Sequence, residues 1–264
     1  MTKLFFKIFP TAQTIPTFDG MKARLAIDIG NTRTKFAVFD GREMLHTFSL
    51  KNDALELNNE VLTNYEIGAL IISSVNEKAE AKLEIPALEV PKLLLSHTTA
   101  FPFTLEYQSP DTLGKDRIAA VAGAQAQFPN QNTLVIDAGT CVTYDFLTAE
   151  GVYFGGAISP GVQLRLRAMN HYTNKLPLLN WGGIKRPQSV GNTTINSMLS
   201  GAVNGLVLEM RGFVERYEKQ YKALKIVITG GDSNFFVKEL KNGIFADPNL
   251  VLKGLNEILI YNGE

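Results

Sequence analysis

The chain carries one cysteine, Cys141, and three scattered histidines, His46, His97 and His171, in 264 residues. A single thiol closes no internal disulfide and builds no multi-thiolate zinc site, and so few imidazoles argue against a histidine-rich metal centre. An excess of either charge is also missing, because 26 Lys and Arg balance 26 Asp and Glu. Gripping nucleic acid through its phosphates needs a basic face, so this balance argues against that partner. No apolar run approaches the ~20 residues that a membrane helix requires. Neither a Gly-x₄-Gly-Lys-Ser/Thr loop nor a Gly-x-Gly-x-x-Gly turn opening a helix is present. What remains is the composition of a reduced, cytosolic protein, 45% hydrophobic and 20% charged, with length enough for a sizeable core.

Residues 1–20 read apart from the rest. Leu4-Phe5-Phe6-Lys7-Ile8-Phe9 is apolar, but Lys7 interrupts it and Pro10 ends it. A secretory leader would carry a longer apolar stretch and small residues before its cleavage site. The expectation is an N-terminal extension, with the working protein beginning at Met21.

The most informative pattern is an internal echo. Leu25-Ala26-Ile27-Asp28-Ile29-Gly30-Asn31-Thr32 is an apolar run, an Asp, any residue, a Gly and then hydroxyl chemistry. Leu134-Val135-Ile136-Asp137-Ala138-Gly139-Thr140 repeats that form about a hundred residues on. Strand-like stretches follow at 35–40 and 142–147, so both copies read as β-hairpins. A duplicated hairpin predicts two related lobes, 21–131 and 132–264, divided at Pro129-Asn130-Gln131-Asn132.

Residues 67–75 and 92–96 read as buried strands, and 53–62 and 77–83 as weak helices. A helix is expected over 116–128. The clearest helix follows Gly191, with a cap among Asn192, Thr193 and Thr194 and one apolar face from Ile195 to Tyr217. Gly201 and Gly205 on it suggest close approach of another backbone, from a second subunit or from the core. A strand at 225–228 then runs into Thr229-Gly230-Gly231-Asp232 and a helix at 235–240. Alternating strands and helices make this an α/β protein.

Each Asp-x-Gly turn projects a carboxylate from a strand end, and its Gly lets backbone N–H groups approach a ligand. With the hydroxyls of Thr32 and Thr140 such turns suit phosphate oxygens. A carboxylate beside phosphate implies a hard cation such as Mg²⁺ between them. Two such turns facing each other would grip a nucleotide polyphosphate from both sides.

The two hairpins and the later Thr229-Gly230-Gly231-Asp232 turn resemble the acetate and sugar kinase, Hsp70 and actin superfamily, whose two duplicated ribonuclease H-like lobes close over ATP. A narrower resemblance lies in Tyr107-Gln108-Ser109-Pro110-Asp111-Thr112-Leu113-Gly114-Lys115-Asp116-Arg117. This segment is similar to the Tyr…Pro…Leu-Gly-x-Asp-Arg signature of type III pantothenate kinases. Gly155-Gly156-Ala157-Ile158-Ser159-Pro160-Gly161 and Gly191-Asn192-Thr193-Thr194-Ile195-Asn196-Ser197-Met198-Leu199-Ser200-Gly201 resemble two further motifs of that family. With the two Asp-x-Gly turns, five motifs fall in family order beyond Met21. Asn192 departs from the pattern, standing where the family often has a basic residue.

The resemblance implies phosphorylation of pantothenate by ATP, with Asp116 as general base. It places ATP on Asp28, Ile29, Gly30, Asn31, Thr32, Arg33, Thr34 and Lys35 and on Thr140. A monovalent cation, K⁺ or NH₄⁺, falls to Asp137. Pantothenate contacts fall to Tyr107, Gly114, Lys115, Asp116, Arg117 and Thr194, with Arg117 helping to bind the substrate carboxylate and Thr194 serving a neighbouring subunit of a homodimer. Simpler roles compete: a helix cap for Asp116 or Thr194, turn formation for Asp28 and Asp137, solvation for Lys35, surface packing for Tyr107. Cys141 reads as a small buried hydrophobe. Another small-alcohol kinase of the superfamily, or a non-catalytic regulator like the Bvg accessory factors, would share much of this pattern.

Overall fold

The computed structural model describes residues 22–54, 64–80, 83, 90–182, 185–240 and 243–263. The strands are β1 (Ala23–Ile29), β2 (Arg33–Asp40), β3 (Glu43–Lys51), β4 (Ile67–Ser74), β5 (Lys92–Leu94), β6 (Thr104–Leu105), β7 (Thr133–Ala138), β8 (Cys141–Leu147), β9 (Val152–Pro160), β10 (Lys225–Thr229) and β11 (Ile244–Ala246). The helices are α1 (Glu77–Glu80), α2 (Lys115–Gln127), α3 (Val162–His171), α4 (Thr194–Leu199), α5 (Gly205–Gln220), α6 (Ser233–Glu239) and α7 (Leu250–Gly263). A π-helical turn, Ser200–Asn204, joins α4 to α5.

These strands form two sheets, in the orders β3-β2-β1-β4-β5 and β11-β10-β7-β8-β9-β6. Counted from the first strand of each hairpin, the two orders are the same. The second and third strands lie antiparallel on one side. The fourth and fifth lie parallel on the other. The echo of Asp-x-Gly turns is therefore the visible part of a duplicated lobe, as expected. Chain order and sheet membership part company at two places. The short β6 pairs with β9 of the second sheet, and α7 packs back onto β1, β2 and β4 of the first.

The pair α2 and α7 joins the lobes. One hydrophobic cluster contains Ala26 and Ile71 of the first sheet, Val135 and Val227 of the second, and the inner faces of both helices. The helices approach closely because two glycines meet at their crossing. A Cβ on Gly123 would stand 2.5 Å from the Leu250 carbonyl oxygen, and one on Gly254 would collide with the Ala119 carbonyl. This crossing sets the depth at which the first turn of α2, with Asp116, lies between the sheets.

Several expectations change. Residues 1–20, most of the helix expected at 53–62 and the end of that at 77–83 lie outside the described residues; what is seen is a 3₁₀ turn, Asn52–Ala54, and α1. Cys141 is exposed rather than buried. It opens β8 next to the exposed turn residue Thr140, and its side of the strand is covered only further along, at Asp145 and Leu147. On the α4–α5 helix Met198, Val203, Leu206, Val207, Met210 and Val214 are buried on the expected face. Gly201, however, has no atom within 4 Å of a would-be Cβ, and Gly205 has only the Arg165 guanidinium at 3.9 Å. Nothing among the described residues of this chain requires those two glycines.

The crossing yields a prediction. Gly254→Ala should destabilise the protein by about 1–3 kcal/mol, as overpacking does. Gly212→Ala on α5, where a Cβ meets nothing within 4 Å, should be neutral or stabilising by up to ~1 kcal/mol. Thermal melts of the two variants against the parent check this.

Candidate active site

β1 and β7 are buried strands that each end near an aspartate. Asp28 lies in register with Lys35 on β2 and with Ser73 on β4. Asp137 lies in register with Thr143 on β8 and with Thr229 on β10. Residues opposite each other in a sheet share a face, so each carboxylate has two polar neighbours on its own side. The two lobes thus present the same construction with one difference: lysine flanks the first aspartate where threonine flanks the second. A Cβ at Gly230, with φ +95°, would collide with Asp137 Oδ1, so the Thr229-Gly230-Gly231-Asp232 turn can close on Asp137 only with glycine there.

In the stretch expected to hold ATP, side chains divide sharply. Ile29 and Thr34 are fully buried, and the Thr34 hydroxyl donates to Asn52 Oδ1 at 2.9 Å. Asn52 Nδ2 in turn donates to the Gly30 carbonyl at 2.8 Å, which ties the turn to the start of the following segment. Arg33 is exposed and bonded to the Ser49 hydroxyl and carbonyl. Asn31 and Thr32 are exposed in the turn itself, and Lys35 is half-buried. Ile29 and Thr34 can therefore offer a ligand only backbone atoms. Thr140 is exposed in the second turn, its carbonyl held by the Gly161 N–H at 3.0 Å.

Asp116 stands in the first turn of α2, where the helix dipole favours a carboxylate. Gly114, not Asp116, is the N-cap residue, and it makes no side-chain cap bond. Asp116 Oδ1 instead accepts from the Arg117 N–H at 2.9 Å. A Cβ at Gly114 would come within 2.6 Å of that oxygen, so glycine there leaves the carboxylate its space.

The structure brings Asp28, Asp116 and Asp137 into one electrostatic unit. Burial, then the charge of Asp116, pushes Asp28 up to about 6, while Lys35 and the Ser73 hydroxyl draw it back. Burial, Asp116 and then Asp28 push Asp137 up to about 7, opposed by Lys35. Asp116 is raised as well, chiefly by burial, then by Asp145, against the Arg117 N–H and guanidinium.

Arg117 is anchored inside the protein. Its Nε and Nη2 donate to Asp145 Oδ1 at 2.9 and 2.6 Å, and only 6% of its surface is exposed. The Tyr107 ring lies 5.8 Å from its guanidinium carbon. Tyr107, Asp116 and Arg117 therefore form one neighbourhood. Thr194 does not join it by any bond: it is exposed at the first position of α4, while Thr193 is the cap, accepting from the Asn196 N–H at 3.1 Å. Asp145 is the residue that the motifs missed. Its only sequence signal is an Asp among inward-facing strand positions, which demands a buried cation.

Among the described residues, no three His, Cys, Asp and Glu side chains sit close enough to form an all-protein metal cage. The donors nevertheless suit a hard cation that also takes phosphate oxygens. Asp28 and Asp137 share one lysine, and the Thr143 and Thr229 hydroxyls flanking Asp137 are buried without a hydrogen-bond partner.

Raised carboxylates make stability depend on pH in a definite direction. Between about pH 4 and 7 the folded protein holds protons on Asp28 and Asp137 that the unfolded chain has released, so stability falls as pH rises through that window. In chelator-treated, K⁺-free buffer the melting temperature should drop from pH 5 to pH 8. Asp137→Asn should flatten the drop, and added Mg²⁺ or K⁺ should recover more at pH 8 than at pH 5.

A family model described as type III pantothenate kinase matches residues 24–216. The type III pantothenate kinase of Flavobacterium psychrophilum is 45% identical over 240 residues, covering 90% of this chain and 98% of the relative. That of Phocaeicola vulgatus is 42% identical over 239 residues, with 90% and 98% covered. Two solved structures agree in fold alone. A Campylobacter jejuni protein, described as a candidate Baf family transcriptional activator, superposes with TM-score 0.59 at 22% identity over 90% of this chain and 98% of that one. The Lmo2764 protein of Listeria monocytogenes, described as a candidate N-acetylmannosamine kinase, superposes with TM-score 0.52 at 13% identity over 92% and 100%. Matched along nine-tenths of its length by such relatives, the chain belongs to the type III pantothenate kinase family.

Proposed function

We propose that this protein transfers the γ-phosphoryl group of ATP to the primary hydroxyl of pantothenate, giving 4′-phosphopantothenate and ADP at the start of coenzyme A synthesis. The observation that carries the reading is Asp116, a half-buried carboxylate raised above its usual range and coupled to the aspartates of both Asp-x-Gly turns. A general base works best with its proton affinity near the working pH, where it is ionised yet can still take the proton as the alcohol attacks. The new bond joins the alcohol oxygen to the γ-phosphorus, the bond from that phosphorus to the β–γ bridging oxygen breaks, and the proton passes to Asp116. Most of the rate comes from positioning and charge neutralisation.

Asp28 and the exposed Asn31 and Thr32 hold the phosphates from the first lobe, with the backbone of 29–34 and Lys35, and Thr140 holds them from the second. Mg²⁺, when bound, neutralises phosphate charge beside Asp28 and Asp137. Tyr107, residues 114–117 and Thr194 take pantothenate, Thr194 from the partner subunit of a homodimer in the cytoplasm. Asp137 takes the monovalent cation. Lys35 brings a positive charge to Asp28, and the matching position beside Asp137 is Thr143, which brings none.

Two variants test this. Asp116→Asn should bind ATP as the parent does and lose about 10²–10⁴-fold in turnover; full turnover would remove Asp116 as base. Thr143→Lys should supply its own cation, so that product formation, and the K⁺-dependent rise in melting temperature, no longer respond to K⁺. A Thr143→Lys protein that is folded and still K⁺-dependent would take the ion away from Asp137.

A further inference from the structure

The ion pair between Arg117 and Asp145 is built in a way that stability alone does not explain. Asp145 lies on β8 with no exposed surface. Its Oδ1 accepts three hydrogen bonds, from Arg117 Nε at 2.9 Å, Arg117 Nη2 at 2.6 Å and the Tyr153 hydroxyl at 2.6 Å. Its Oδ2 is buried without a partner. A guanidinium and a carboxylate free to choose their geometry often make two parallel bonds, one to each oxygen. Here every donor converges on one oxygen, so the pair's orientation follows its surroundings. Well-packed apolar residues commonly replace buried pairs without loss of stability. The negative charge also stands where it opposes ionisation of Asp116.

What the pair does hold is geometry. Arg117 follows Asp116 directly, and its N–H is bonded to the Asp116 carboxylate. Its guanidinium meets the Tyr107 ring. That ring rests on Gly155, at φ +113°, where a Cβ would come within 2.6 Å of it. The next residue, Gly156, is the register partner of Asp145, and a Cβ there would collide with the Tyr144 carbonyl. Two glycines let β9 close against β8 and Tyr107 together, and Tyr153 of β9 completes the anchor. One carboxylate thereby fixes the turn of the base, the guanidinium and the aromatic ring relative to the second sheet.

We propose that Asp145 is a positioning residue for the acceptor half of the site. It aims Arg117, and through it Tyr107 and the turn bearing Asp116, at the alcohol substrate, and reaches the nucleotide half only as a charge felt at Asp137. The inference rests on the proposed reading of Tyr107 and residues 114–117 as acceptor contacts.

Asp145→Asn keeps the side chain's shape and removes its charge. With both substrates varied, KM for pantothenate should rise about tenfold while KM for ATP stays within about twofold. In substrate-free protein, amide hydrogen exchange over residues 114–117 should quicken and exchange over 28–35 should match the parent. Unchanged KM values with only a smaller active fraction, or an equal rise in both, would overturn the proposal. Should Asp145→Asn fail to fold, Tyr153→Phe removes one donor of three. It should raise KM for pantothenate alone, by about threefold, and parental KM values in that variant would overturn the proposal. If the parent itself does not turn over pantothenate, the functional reading fails instead. The exchange measurement still decides whether Asp145 holds the turn.

Discussion

Three half-buried carboxylates, Asp28, Asp116 and Asp137, act on one another, and one lysine, Lys35, draws the first and last back towards ionisation. Like charges concentrated away from water are unfavourable, and the protein meets that by holding protons, which is why two of these groups are pushed towards neutrality. A ligand that brings cations removes the penalty and gains from it. Asp116 is raised in the same direction, by burial and by the charge of Asp145.

The scaffold exists to hold that unfavourable cluster. Each lobe has the same five-strand order, so the turn after its first strand lands at an equivalent place. The α2–α7 crossing at Gly123 and Gly254 locks the lobes' shared core, and α2 brings Asp116 into the cleft as a third, unduplicated acid. The duplication is not exact where chemistry demands otherwise. Lys35 and Thr143 occupy matching positions with different charge, so a lysine lies opposite the first aspartate and a hydroxyl opposite the second.

Local features were the legible ones. The hairpins announced themselves because buried runs ending in Asp-x-Gly have few other solutions, and α2 and the α4–α5 helix followed from apolar periodicity. Sheet order, α7 folding back on the first sheet and the capture of β6 by the second depend on non-local pairing that no window of sequence contains. Arg117 shows the limit at a single residue. Beside Asp116 it reads as a contact for the substrate carboxylate, and nothing near it in sequence announces the buried partner 28 positions on in a strand. Cys141 differs for a local reason: its type suggests burial, but it stands at the open end of β8 beside an exposed turn. Gly201 and Gly205 of the long helix meet no close neighbour among the described residues.

The central claim is that the acid cluster activates the pantothenate hydroxyl towards ATP. The most direct measurement follows 4′-phosphopantothenate by mass in purified protein given ATP, Mg²⁺, K⁺ and pantothenate, beside parallel reactions offering N-acetylmannosamine or glucose. The account predicts phosphorylated pantothenate with one ADP per product and no sugar phosphate. Folded, ATP-binding protein that leaves pantothenate untouched, or that phosphorylates a sugar in preference, would contradict it.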